Sequence, residues 1–269
     1  MNNNMWSIIV RFLKDRRISL LVYCLSGVAF LEMYVAIYPS IFSQAARFNE
    51  LFQSYPKEFL KAFGVDRLDM STLENYIAME HFSMIWPLMM IILMISIAGG
   101  ALAGEIERGT IELVLSRPIS RLKLFIGRYT YGFIALAIFI LTTVFMIIPL
   151  AELHNVTYDA GRYYLIAILG LLFGLAVFSL AMLASALFSE KGRVSMIMGG
   201  LLVLMYVLNL VAALKENLSD LKYLSFFHYF DAQSALTKGE LNLTSVWVFA
   251  GIIVVSTIVG AVVWKRRDV

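Results

Sequence analysis

Charged and hydroxyl side chains gather in one short segment of this 269-residue chain, residues 104–121, with the sequence GEIERGTIELVLSRPISR. Glu105, Arg108 and Glu112 are three and four residues apart, so on a helix they share one side and can form ion pairs. Mainly apolar residues fill another side, which predicts a short amphipathic helix. Carboxylates and guanidinium groups on such a helix suit a charged contact with a soluble partner protein.

The ends of this segment carry their own signals. The amphipathic pattern predicts a helix over 105–115 that ends near Ser116, because a proline at 118 disfavours helical backbone in the residue before it. Ser120 can then cap the next helix, and Arg121 contributes to its basic start. The segment is therefore expected to turn the chain sharply between two longer elements.

Catalytic chemistry has no comparable signal in the sequence. The chain has no G-x-x-x-x-G-K-[ST], H-E-x-x-H, G-x-S-x-G or C-x-x-C motif. Cys24 is the single cysteine, so no intrachain disulfide can form. The three histidines, His81, His154 and His228, are widely spaced. We therefore predict that the chain is not an enzyme and holds no metal, catalytic residue or cofactor of its own.

The composition places the charged segment in an all-α integral membrane protein. Hydrophobic residues make up 60% of the chain and charged residues 15%, well above the apolar content of soluble domains. Apolar runs of roughly 20 residues cross a bilayer as helices. Six such runs are predicted, at about 18–41, 82–103, 127–150, 163–188, 194–214 and 245–264. No internal repeat is evident, so residues 1–269 are interpreted as one transmembrane domain, with the lipid bilayer as its surroundings and no nucleic-acid partner.

Basic residues predict the orientation. With the N-terminus inside, 14 of the 22 Lys and Arg residues fall in short inside segments, and the long loop 42–80 is rich in acids. The positive-inside rule then predicts a multi-pass protein of the plasma membrane with both termini cytoplasmic. Residues 5–13 have one broad apolar face that includes Trp6 and Phe12. This pattern favours an interfacial helix on the inner leaflet over a frayed tail.

Two polar residues within the predicted spans are candidates for a substrate path. Glu32 either faces a water-filled cavity and contacts cargo, or lies near the outer interface in a hydrogen bond to a neighbouring helix; the second reading is favoured, since no Lys or Arg lies within the membrane to pair with it. Asn209 is expected to form a helix–helix hydrogen bond. Gly170 and Gly174, four residues apart, predict close packing of the fourth span.

The outer loops contain turn and cap signals. Ser71 and Glu74 fit a capping box at the start of a helix leading into the second span, which Pro87 should bend. In the last outer loop, Asp231 can cap a helix that Gly239 ends. The aromatic residues 226, 227, 229 and 230 just before it have two open interpretations: a membrane-interface belt, or part of a re-entrant pair of short helices over the outer mouth.

The run from Glu105 to Arg121 resembles the signature of the ABC-2 type permeases, E-x-E-x-G-T-x-x-x-L-L-S-x-P-[VI]-S-R, which lies between their second and third spans. The ending WKRRDV resembles their aromatic-x-R-R-D-aliphatic terminus. The six spans, the larger first loop and the N-terminal interfacial helix also match. The resemblance implies an exporter-type permease domain over essentially the whole chain.

Such a permease pairs as a homodimer or with a sister permease, and each half binds a cytoplasmic ABC ATPase subunit that carries the ATP and Mg²⁺. The segment after the second span is then a coupling helix seated on the ATPase. Carried over residue by residue, the resemblance implies a contact and orientation set of Glu105, Glu107, Arg108, Gly109, Thr110 and Glu112, and a turn fixed by Ser116, Pro118, Ser120 and Arg121.

The expected function is ATP-driven export of a hydrophobic or amphipathic substrate, such as a drug, an antimicrobial peptide or a lipid-like molecule. Two alternatives belong to other classes. One is a non-transporting membrane sensor or signalling partner, in which the outer loops bind a ligand. The other is a stand-alone ion-coupled carrier with Glu32 as its proton site.

Overall fold

A computed structural model describes residues 3–44, 70–116 and 119–268 of the chain. Within these residues the backbone is helical and contains no β-strand. Six helices are long and apolar enough to cross a membrane. They are α1 (Asn3–Phe42), α2 (Leu73–Ala101), α5 (Arg121–Leu153), α6 (Ala160–Leu187), α7 (Lys191–Leu214) and α9 (Leu243–Arg266). Three short helices join them: α3 (Ala103–Glu107), α4 (Ile111–Leu115) and α8 (Phe226–Tyr229).

Each predicted apolar run lies on one of these six helices, because a backbone in lipid must satisfy its hydrogen bonds internally. Residues 5–13 are helical as expected, but they continue into the first span without a break and form the start of α1. Six crossings bring the start of α1 and the end of α9 to the same end of the bundle. The described residues of the segment 102–120, which are 102–116, 119 and 120, lie at this end too, which we call the elbow end.

Helix α6 is the central element, packed against α9, α2 and α5. Most of the apolar stretch of α2 and of α6 is buried, 61% in each case, against 17% in α7 and α9. Close approach at α6 depends on its glycines. A Cβ on Gly170 would overlap the ring of Trp86, and one on Gly174 would lie 2.6 Å from the Met90 sulfur. The predicted close packing of the fourth span is therefore observed.

The second span is irregular just before Pro87. A π-helical turn, His81–Ile85, interrupts α2, and Pro87 lies in the first turn of the α-helix that resumes at Trp86. A proline has no N–H to continue the preceding ladder, and a π-turn is one of the recognised ways to absorb that loss. The irregularity expected from Pro87 is thus a π-turn.

At the opposite end of the bundle, the predicted capping box is wrong in its residues. Thr72 is the N-cap of α2, and its side chain accepts from the Asn75 amide. The Glu74 carboxylate accepts instead from the Asp159 amide at 2.7 Å and from the Tyr163 hydroxyl at 3.0 Å. Glu74 is buried, so a partner on α6 replaces the local one.

The last loop folds onto this same end. Asp231 accepts from the Ser234 amide, and Gly239 ends the turn with a φ of 70°, as its sequence predicts. Phe226 and Phe230 are buried, and Phe230 stacks on Trp86 and contacts Phe173. The aromatic cluster therefore packs into the bundle end, which is the behaviour of a covering segment and differs from that of a lipid-facing belt.

Candidate functional site

The segment between α2 and α5, residues 102–120, forms an elbow of two short helices, and residues 117 and 118 lie outside its described part. The single helix predicted over 105–115 is wrong, because Gly109 has a φ of 65° and separates α3 from α4. The Gly109 amide donates to the Ile106 carbonyl at 2.9 Å, and the Thr110 amide donates to the Glu105 carbonyl at 3.0 Å. These two bonds form the Schellman arrangement that ends a helix at glycine.

This break explains the Gly-Thr pair in the segment. Only glycine adopts the left-handed conformation at little cost. The Thr110 hydroxyl donates to the same Glu105 carbonyl at 3.2 Å and reinforces the turn. The helical wheel that put Glu105 and Glu112 on one side therefore fails: Glu105 is buried, whereas Glu112 is exposed.

A buried ion pair fixes the base of the elbow to the third span. The Arg128 guanidinium of α5 contacts the Glu105 carboxylate, and the two side chains are 6% and 10% exposed respectively. The ring of Phe12, on α1, lies 3.6 Å from the guanidinium carbon of Arg128. Burial away from water raises the free-energy cost of a charged guanidinium. The Glu105 carboxylate and the Phe12 ring lower that cost for Arg128. Glu105 therefore orients the elbow and does not form part of its exposed surface.

The fourth span holds the N-terminus of α3. The Ser185 hydroxyl accepts from the Leu102 amide at 3.3 Å and from the Ala103 amide at 3.0 Å. The first amides of a helix have no partners within it. Ser185 supplies one from α6, 82 residues away along the chain, and so fixes α3 to the centre of the bundle.

The fifth span is attached through Glu107. Its carboxylate accepts from the backbone amide of Lys191, the first residue of α7, at 2.9 Å. A carboxylate at a helix N-terminus satisfies a free amide and complements the positive end of the helix dipole. The predicted contact residue Glu107 therefore joins the elbow to α7.

The start of α5 and the end of α4 agree with the signals predicted from the sequence. Ser120 is the N-cap of α5, and its hydroxyl accepts from the Lys123 amide at 3.3 Å. Helix α4 ends at Leu115, and the Ser116 hydroxyl donates to the Leu113 carbonyl. Pro118 lies outside the described residues.

Arg121 begins α5 and joins the C-terminal end of α9. The Trp264 indole donates to the Arg121 carbonyl at 3.0 Å, and the Arg121 guanidinium donates to the Arg267 carbonyl. The Arg267 guanidinium in turn donates to the carbonyls of Ala186, at 2.6 Å, and Phe188, at 3.0 Å. Burial lowers the pKa of Arg267 from its ordinary value. The C-terminal pattern of Trp and Arg thus ties α9 to α5 and α6.

The tip of the elbow, residues 108–113, is its exposed part. Arg108, Gly109 and Glu112 are exposed, and Leu113 is 71% exposed. By contrast, Ile111 is buried and anchors α4 from below. A large exposed apolar side chain next to an exposed charge, on a backbone fixed from beneath, has the character of a protein contact surface.

This geometry accompanies a family match over nearly the whole chain. Residues 6–269 match the model of the ABC-2 family transporter protein. The chain belongs to the ABC-2 transporter family. No significant match is found among curated proteins. The family assigns the chain to the membrane component of a transporter.

The two residues of the possible substrate path lie on different helices of this ABC-2 protein. Glu32, on α1, has its Oε1 atom 2.8 Å from Nε2 of His154, which caps the end of α5. This is the bond to a neighbouring helix that the favoured interpretation predicts, and its partner is a histidine where only Lys and Arg were considered. Asn209 is half-buried on α7, and the expected bond from its side chain is not found among the described residues.

The sequence does not reveal three contacts at the elbow end. Nothing in the local pattern identifies Arg128 as the counter-ion of Glu105. Ser185 lies in an apolar run and gives no local signal of capping another helix. Arg267 belongs to the C-terminal WKRRDV pattern, but that pattern does not predict its bonds to the end of α6. Each of these depends on the packing of spans far apart in sequence.

Proposed function

We propose that this ABC-2 family protein is the membrane-spanning subunit of an exporter and that a separate ABC ATPase docks on the tip of its elbow. One observation carries the proposal: an exposed tip, residues 108–113, stands on a base held by α5, α6 and α7. A surface that transmits force needs both accessibility and a rigid support. The tip and base supply these in one short segment.

The division of labour follows from the sequence. The chain has no phosphate-binding loop of the G-x-x-x-x-G-K-[ST] type, so ATP and Mg²⁺ belong to the partner. Closure of a nucleotide-bound ATPase pair would displace the tip, and the base would pass that displacement to the spans. The proposal requires the elbow end, with both termini, to lie in the cytoplasm, and the distribution of Lys and Arg supports that orientation.

The proposed cargo is hydrophobic or amphipathic. The spans are strongly apolar, with mean hydropathy from 2.0 to 2.7 in their apolar stretches, and Glu32 is engaged by His154. A drug, an antimicrobial peptide or a lipid-like molecule fits such a path better than a free ion. The exposed faces of α7 and α9 are also available for pairing with a second copy or a sister permease.

Co-purification with an ABC ATPase tests the docking site. The elbow variant carries Glu112→Lys and Leu113→Asp. A matched control carries Glu240→Lys and Leu243→Asp, the same changes at exposed residues of the opposite end. Loss of a central contact typically costs about 2 kcal/mol or more, so the elbow variant should bind the ATPase at least tenfold more weakly while the control binds normally.

Folding and direction need their own measurements. In detergent, both variants should have the same unfolding temperature as the native chain, since the altered side chains are exposed. A cysteine at position 112 should react with a membrane-impermeant maleimide only after the cells are opened. The proposal would be contradicted if the elbow variant still bound the ATPase. It would be contradicted equally if the cysteine were labelled from outside intact cells, or if the chain transported cargo in vesicles without any ATPase.

A further inference from the structure

Three basic side chains from different elements converge at the elbow end. Arg16 belongs to α1, Arg108 to the elbow and Lys191 to the start of α7. The charges of Arg16 and Arg108 both act on the Lys191 ammonium. We call this set the basic cleft. It is separate from the buried pair of Glu105 and Arg128.

The basic cleft lies over a strip of helix that has no side chains. A Cβ on Gly100 would overlap the Arg16 guanidinium. A Cβ on Gly104 would lie 3.6 Å from Cβ of Lys191 and 3.7 Å from Nη1 of Arg108. The glycines at the end of α2 and in α3 therefore create the room in which the three cations approach one another.

Charge in the cleft is unbalanced. Within the described residues, none of its three cations forms an ion pair with a carboxylate. The Glu107 carboxylate accepts from the backbone amide of Lys191 and its charge also acts on the Lys191 ammonium, so one carboxylate stands against three cations. The Arg16 guanidinium donates a long bond of 3.4 Å to the Ser96 carbonyl. Neighbouring like charges repel, and an anion between them removes that cost.

Three other arginines at this end have partners. Arg128 is paired with Glu105, and Arg193 with Glu190 at 3.5 Å. Arg267 donates to carbonyls at the end of α6. Exposed cations at the same end, among them Arg17 and Arg266, likewise form no ion pair within the described residues. The cleft differs from them because its three cations come from different elements and approach one another over glycines.

The cleft also lies at the depth of lipid headgroups. The apolar spans of α1 and α7 begin at Arg16 and Lys191, and Arg108 follows closely after the end of α2. Basic side chains at the ends of spans reach into the headgroup layer. A pocket of such residues between spans suits a phosphate group.

We propose that the basic cleft binds the phosphate of an anionic phospholipid, held by Arg16 and Lys191 with Arg108 at the rim. The lipid would sit between α1, the end of α2 and the start of α7. It would add to the single counter-charge that Glu107 supplies. This inference does not depend on the proposed ATPase docking or on which face of the membrane the elbow occupies.

Native mass spectrometry of the full chain in detergent can test the site, with phosphatidylglycerol and phosphatidylcholine as probes. The native chain should bind phosphatidylglycerol preferentially. Each charge at a lipid surface is worth about fivefold in affinity, so Arg16→Gln with Lys191→Gln should weaken phosphatidylglycerol binding by roughly 25-fold. Arg193→Gln, an exposed residue of the same helix, is the matched control and should leave the preference intact.

Two further arms keep the test decisive. If the double variant does not fold, Arg16→Lys retains the charge and should retain binding, and the preference of the native chain should fall as salt is raised. Inorganic phosphate and soluble glycerophosphoglycerol distinguish a lipid site from a free-phosphate site. Equal binding of the two lipids, unchanged binding in the double variant, or full displacement by soluble phosphate at equal concentration would overturn the proposal.

Discussion

Replacing Glu105 by glutamine should destabilise the bundle from its elbow end. The substitution keeps the size of the side chain and removes its charge. It leaves the Arg128 guanidinium, 6% exposed, without its carboxylate. The ring of Phe12 covers that guanidinium, so water cannot easily take the place of the lost partner.

The magnitude follows from the burial of the pair. Breaking a buried ion pair on one side costs about 3–5 kcal/mol, because an uncompensated charge stays in the interior. The pair lies near the end of the spans, where some relaxation toward water is available, so we expect about 3 kcal/mol. Replacing both residues, with Glu105→Gln and Arg128→Met, should cost no more than either single change, since the buried ion pair is then removed as a unit.

Reversible unfolding in mixed detergent, followed by circular dichroism, gives the required free energies. Glu112→Gln makes the same chemical change at an exposed position of the elbow and should alter stability by less than about 0.5 kcal/mol. The reasoning is refuted if Glu105→Gln is as mild as Glu112→Gln. It is refuted equally if the two single costs simply add in the double variant.

Three other substitutions probe separate parts of the bundle by the same unfolding assay. Gly109→Ala should cost about 1 kcal/mol, since its φ is 65° and no atom lies within 4 Å of an added Cβ. Gly192→Ala also adds a Cβ with no atom within 4 Å, but its backbone is helical, so it should not destabilise. Equal effects of the two substitutions would contradict the left-handed turn. Gly170→Ala should cost about 1–3 kcal/mol, because its Cβ overlaps the buried ring of Trp86, and a neutral result would count against that packing. Arg267→Gln should cost about 2 kcal/mol through lost charged hydrogen bonds and speed amide exchange at the end of α9; native exchange rates would show that α9 is held otherwise.

The sequence was sufficient for features that depend on local pattern or on the bilayer. The six spans are predictable because lipid permits little else for long apolar runs. The cap at Ser120 and the stop at Gly239 depend only on neighbouring residues. The exposure of Glu112 is equally a property of its own short helix.

Features that depend on contacts between spans were not predictable. Glu74 fits a capping box in sequence, yet Tyr163 and the Asp159 amide take its carboxylate. Glu105 fits the exposed side of one amphipathic helix, yet Gly109 breaks that helix and Arg128 draws the carboxylate inward. A helical wheel assumes an unbroken helix, and the Gly-Thr pair at 109–110 was the available warning against that assumption.

Coupling through the elbow should depend on Ser185 even though this residue is remote from the exposed tip. Its hydroxyl accepts from the amides of Leu102 and Ala103, at the N-terminus of α3, and so links the elbow to α6, the central helix of the bundle. Ser185→Ala leaves both amides without that acceptor, at a cost of about 1 kcal/mol, but leaves the surface of the tip unchanged. An ATPase should therefore bind the variant normally, while the transport obtained per ATP hydrolysed in proteoliposomes falls. Ser116→Ala, at an exposed hydroxyl of the same elbow, should alter neither quantity. On this argument, ATPase binding depends on the tip and transmission of its motion depends on the base. A Ser185 variant that loses both ATPase binding and transport per ATP, or that keeps both, would contradict this division of roles.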